Sequence, residues 1–204
     1  MISMHHHFWS LYMIAPMDPS ASNFLKAAIE AFPPANRVLA TEATSALLSL
    51  VDHNYLQSSM RVIVLGKTVQ IPKRIHFIGP ADEGLKAQST FWPVVQCLYT
   101  RSTDGYWRQA SLRRIVDINE PWSIPFVVLL AGEYVIEIID DMMASIAVLD
   151  RAAYVNFVRE NRGLMGLLRS KATSYWDCYY RVAYPNRRSY PGLAFLQQLE
   201  LWAT

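Results

Sequence analysis

A mainly α-helical chain, built of antiparallel helical pairs with one small inserted β-hairpin, is the fold class this sequence predicts. Three observations carry that expectation. Apolar residues recur at spacings of three and four through most of the 204 residues, as one buried helix face requires. Pro, Gly and Asx turns cut these runs into short neighbours. A single stretch, residues 60–78, breaks the period with β-branched residues instead.

Taken in order, Asp18-Pro19-Ser20 opens the first helix, with Ser20 or Ser22 as its cap. Phe24, Leu25, Ala28 and Phe32 line one face until Pro33-Pro34 stops it. A second helix is expected from about Asn36 to Leu56, where Val38, Leu39, Ala43, Ala46, Leu47, Leu50 and Val51 hold the same spacing. These form an N-terminal pair over 18–57. Arg61–Leu65 and Thr68–Ile71 are then β-rich, joined by a two-residue Gly66-Lys67 turn. Pro72 limits the second arm to an edge or divides it, with Ile75–Ile78 beyond. The loop at 79–84 is the best candidate boundary. Residues 90–148 read as two further helical pairs, one after Pro93 and one after Pro125, and 150–204 as C-terminal helices over Arg151–Glu160, Leu164–Arg181 and Tyr190–Trp202. The whole is expected to be one domain.

Composition excludes several classes of protein. Apolar residues make up 52% and charged residues 18%, which is the wrong balance for a disordered chain. Two Cys cannot make a disulfide framework, and free thiols fit a reducing cytoplasm. A net charge of +2 argues against a general nucleic-acid coat. No uncharged stretch reaches the roughly 18–20 apolar residues of a membrane span. Residues 1–17 lack the positive start of a secretory signal, and His5-His6-His7 reads as a flexible end rather than a metal site.

A repeat runs through the middle. Pro93-Val94-Val95-Gln96-Cys97-Leu98 matches Pro125-Phe126-Val127-Val128-Leu129-Leu130, and Tyr106-Trp107 matches Tyr134-Val135. Asp104-Gly105-Tyr106-Trp107-Arg108-Gln109-Ala110-Ser111-Leu112 resembles the second helix of a HEAT-like repeat, a family that favours Asp, an apolar residue before Arg, then Ala and Leu. Leu129–Val135 resembles the crossover into another such helix. The resemblance covers about residues 90–148. It departs at Ile136, which stands where Arg108 does and removes the usual Asp–Arg ladder. It implies a HEAT-like α-solenoid, or failing regularity an irregular helical bundle, that binds other proteins without catalysis or cofactor.

Candidate chemistry is thin. Cys178 with His76 or His53 as base and Asp177 as orienting carboxylate would suit a Cys-dependent hydrolase or transferase. The simpler account of Cys178 is a small filler in an aromatic helix. Glu133, Glu137 and Asp140 or Asp141 share a face at spacings of three and four, but no His follows His76 to complete a metal site, so a solvated face is expected. Gly66-Lys67-Thr68 ends like a phosphate loop, yet Arg61 stands where such a loop needs Gly. Charge is more informative. Seven acids and no Lys or Arg lie between Asp117 and Asp150, while Arg151 to Arg188 holds eight basic residues and two acids. The basic stretch 151–188 carries Tyr175, Trp176, Tyr179, Tyr180 and Tyr184, so nucleic-acid binding is one alternative. The preferred expectation is a non-enzymatic scaffold, adaptor or immunity-type partner of another protein. Its binding residues would be Arg108, Glu133, Glu137, Asp140, Arg162, Arg169, Tyr175, Trp176, Tyr179 and Arg181, with no catalytic residue, metal or cofactor.

Overall fold

The computed structural model describes residues 18–56, 58–81 and 89–204, and its architecture is mainly α with an inserted β-hairpin. Residues 1–17, Asp82–Gly84 of the expected boundary loop and the side chain of His53 lie outside the described residues.

Helix α1 spans Pro19–Glu30, and its cap is Asp18 rather than Ser20 or Ser22: the carboxylate accepts from Ser20 N at 3.2 Å. Phe24 and Ala28 are fully buried on its inner face. Helix α2 spans Arg37–Leu47 and packs on α1. It is shorter than the expected run to Leu56. After a 3-10 turn at Leu48–Leu50 the chain becomes strand β1, Val51–Leu56. Asp52-His53-Asn54 are weak helix formers, and the strand finds a partner further along the chain.

That partner makes the insertion larger than one simple hairpin. Strands β2 (Ser59–Val64) and β3 (Lys67–Pro72) form the inner hairpin, with Val64 opposite Lys67. Strand β4 (Ile75–Phe77) turns back to pair with β1, Val51 against Phe77. The two-residue turn is Leu65-Gly66, one position earlier than expected, with φ +50° and +72°. Both central residues lie in the left-handed region, as the hairpin twist demands. The outer edge of the hairpin is covered. Asn161 Oδ1 accepts from Ile63 N and Asn161 Nδ2 donates to Ile63 O, both at 2.8 Å, so one side chain imitates a neighbouring strand. Glu160 accepts from Leu65 N and Gly66 N at the tip.

Helix α3, Trp92–Tyr99, carries Pro93 in its first turn, and Asp104 caps α4, Gly105–Ile115, by accepting from Trp107 N. Helix α5, Ile124–Val128, continues as a 3-10 turn over Leu129–Gly132 and buries every residue. Helix α6 starts only at Ile136 and ends at Ala144. Tyr134-Val135 therefore precede their helix, whereas Tyr106-Trp107 lie inside theirs. Helix α4 packs on both α3 and α6. Helices α7 (Arg151–Glu160), α8 (Arg162–Tyr175) and α9 (Pro191–Trp202) complete the chain, α9 lying against α6, α7 and α8. One apolar cluster runs from Phe24 to Leu199 and takes in Val62, Ile71 and Ile75 of the insertion. Among the described residues no helix is long and apolar enough to cross a membrane.

Candidate functional site

The most distinctive surface is made of tyrosines. Helix α8 ends at Tyr175 and the chain widens into a π-type turn over Trp176–Tyr180. Such widened turns are rare and are frequent at functional sites. Tyr175 and Tyr179 are four apart, as are Trp176, Tyr180 and Tyr184, so the turn presents two aromatic rows. Tyr134, just before α6, joins them: its ring lies 5.9 Å from Tyr175 and 6.5 Å from Tyr179. Tyr180 touches Tyr184 at 6.5 Å and stacks on Tyr190 at 5.4 Å. Six tyrosines thus form one connected sheet of rings. Tyr190 is its buried root, while Tyr179 is 67% exposed and Tyr134 52%.

The face is held rigidly. Trp176 Nε1 donates to Tyr184 O at 2.8 Å, closing the turn, and Tyr180 Oη donates to Tyr134 O, tying the turn to α6. Arg181 lies over the Trp176 ring, 5.4 Å from its centroid, and pairs with Asp177. Glu137 and Asp140 on α6 are exposed at the rim. Partial burial, with Glu137 and Asp141 beside it, pushes the Asp140 carboxyl above its ordinary value. Burial raises the Tyr180 hydroxyl, and Glu137 adds to the effect. The rim is therefore acidic and the centre aromatic.

A second cluster is internal. Glu133, the residue after the Leu129–Gly132 turn, is 3% exposed. Arg74 Nη2 donates to its Oε2 at 2.5 Å, Arg108 Nη2 lies 3.7 Å from the same oxygen, and Arg101 Nη2 lies 3.8 Å from Oε1. Arg101 also donates to Pro72 O and Lys73 O, and Arg108 to Ser102 O and Thr103 O. The carboxylate thus ties the β insertion to the α3–α4 turn and to α4. Three cations share one anion. Burial alone would raise the Glu133 carboxyl, but Arg101, Arg74 and Arg108 outweigh it and hold the group below its ordinary value. Burial lowers Arg101 to about 10, because Glu133 supplies only part of the charge it needs.

The expected binding residues fall into three places. Tyr175, Trp176, Tyr179 and Arg181 come together, with Glu137 and Asp140 at their rim. Arg162 and Arg169 stand apart, beside clefts between α8 and α9. Arg108 and Glu133 are not on a surface at all. Each is buried in the ion cluster, because α6 begins three residues after Glu133 and so takes it off the acidic helix face. Asp141, the alternative member of that face, pairs with Arg113 and accepts from Gln109. Tyr134, Tyr180, Tyr184 and Tyr190 belong to the face but not to the expected binding set, although Tyr180 and Tyr184 stand out in the sequence as aromatics of the basic stretch and Tyr190 just beyond it. Tyr134 is distant in sequence, Tyr184 continues the four-residue spacing beyond the expected helix, and Tyr190, six residues further on, falls outside that spacing. As for the catalytic alternative, Cys178 is exposed on the turn after α8, and His76 Nδ1 lies 2.9 Å from Thr103 Oγ1.

Comparison with known proteins places the chain in no family: no protein-family model, curated protein or solved structure matches it.

Proposed function

We propose that this protein binds another protein through the tyrosine face formed by Tyr134, Tyr175, Tyr179, Tyr180 and Tyr184 with Trp176 and Arg181. The observation that carries the reading is the exposure of a connected, braced aromatic sheet with acidic residues at its edge. Tyr, Trp and Arg are the residues enriched where binding energy concentrates. Trp176 and Tyr180, each fixed by a side-chain hydrogen bond, lose little further freedom on binding. Aromatic faces attract cations, and Glu137 and Asp140 add negative potential, so the complementary partner surface presents Lys or Arg. Helical pairs as a binding scaffold, with neither cofactor nor catalysis, fit this reading, as does a cytoplasmic setting for the two thiols.

The test is photo-crosslinking in the source cells from a photoreactive residue at position 179, with position 38 on α2 as the control, where Val38 is 72% exposed. A discrete protein adduct from 179 that is missing from 38 supports the reading. No adduct from 179, or the same adducts from both positions, overturns it.

A further inference from the structure

A different part of the surface holds a cleft of about 390 Å³, framed by three elements. Helix α8 supplies Arg169 and Thr173, one turn apart on the same side. Helix α9 supplies Leu193 and Gln197 in the same relation. The 3-10 turn Arg187–Ser189 adds two arginines, consecutive in sequence, to the lining. That turn is fixed: Asn186 Oδ1 accepts from Arg188 N at 3.0 Å, Ser189 Oγ donates to Asn186 O at 2.7 Å, and the buried Tyr190 follows immediately.

The charge in the cleft is unbalanced. Arg169 is neutralised by Glu200, with which it forms an ion pair. Among the described residues, Arg187 and Arg188 have no ion pair or side-chain hydrogen bond. The Thr173 hydroxyl and the Gln197 amide are also uncommitted there. The lining therefore offers two free planar forks, a hydroxyl, an amide and one apolar wall, Leu193.

We propose that this cleft binds a phosphomonoester, with Arg187 and Arg188 as its phosphate ligands. Two uncommitted guanidiniums match the double charge of a phosphomonoester, and their forks match its oxygens in a way a single carboxylate cannot use. Arg169, anchored by Glu200, sets the inner limit of the site, and Thr173 and Gln197 are placed to hydrogen-bond the ester. The volume lies within the range of small-molecule sites, so an organic group accompanies the phosphate and rests on Leu193. Aromatic platforms for stacking successive bases are missing from this lining, which separates the site from a single-strand nucleic-acid groove.

The experiment is isothermal titration of the full chain with adenosine monophosphate, adenosine and a short phosphoserine peptide, at two salt concentrations. The proposal predicts saturable one-site binding of at least one phosphate-bearing probe, weaker at high salt, and no binding of adenosine. Whichever phosphate probe binds more tightly shows whether the ester belongs to a metabolite or to a protein. Arg187→Gln/Arg188→Gln should weaken binding at least about tenfold with an unchanged unfolding midpoint, and Arg187→Lys/Arg188→Lys should fall between. The proposal is overturned if neither phosphate probe saturates at millimolar concentration, if adenosine binds as well as its monophosphate, or if the Gln double variant binds as the parent does.

Discussion

Replacing Glu133 by Gln keeps the shape of the side chain and removes the anion shared by Arg74, Arg101 and Arg108. At the separations of 3.8 and 3.7 Å to Arg101 and Arg108, each attraction is about 4 kcal/mol for an effective dielectric of about 20. Burying the carboxylate costs several kcal/mol, which the substitution returns. What remains is a set of guanidiniums that have lost their shared counter-charge, with Asp104 still attracting Arg108 alone. Breaking a buried pair of this kind costs about 3–5 kcal/mol. For a chain of this size that is a fall in midpoint of roughly 6–20 °C. Urea unfolding followed by circular dichroism measures it, with a lower midpoint concentration and an unchanged slope. The pH dependence adds a signature. Glu133 titrates lower in the folded chain than in the unfolded chain, so the unfolded chain takes up the proton first. Its stabilisation is complete above the ordinary value of 4.5 and is lost as pH falls through the lower folded value. Parent and variant should differ fully at neutral pH and converge in acid. A loss under about 1 kcal/mol, well short of a broken buried pair, or a difference that stays flat into acid, would refute the reasoning.

The remaining predictions concern the insertion and its neighbours. Leu65→Asn should raise stability by about 1 kcal/mol, measured as a higher thermal midpoint, because Leu65 holds φ +50° and Asn tolerates the left-handed region far better. Asn161→Ala should cost about 2–3 kcal/mol and speed amide exchange at Ile63, whose N–H and C=O both lose their partner. Gly132→Ala should cost about 1–3 kcal/mol by overpacking, since a Cβ there would lie 2.8 Å from Leu168 Cδ2; urea midpoints decide it.

The inner hairpin was legible because Val62, Val64, Val69 and Ile71 alternate with more exposed neighbours, and all four are buried. Strand β1 was not, because Leu47, Leu50 and Val51 continue a helical spacing; the usable signal was Asp52-His53-Asn54, which favours stopping the helix. The aromatic rows at 175–180 were legible from their four-residue spacing. Tyr134 was not, because only tertiary packing brings it to them from 41 residues away. Glu133 was misplaced for a related reason. Its spacing to Glu137 suggests a shared helix face, but the helix starts at Ile136, and its cations at 74 and 101 come from other parts of the fold. Periodicity reports which side of an element is buried; it carries no information about which distant charge a buried carboxylate meets.

Once the cross-linked partner is in hand, its affinity for Tyr134→Ala/Tyr179→Ala, set against a Val38→Ala control, is the most direct test. The tyrosine face predicts a loss of about 2 kcal/mol or more, roughly 30-fold, for the double variant, with the control unchanged. Equal affinity for the parent and the double variant would place the binding surface elsewhere and contradict the account.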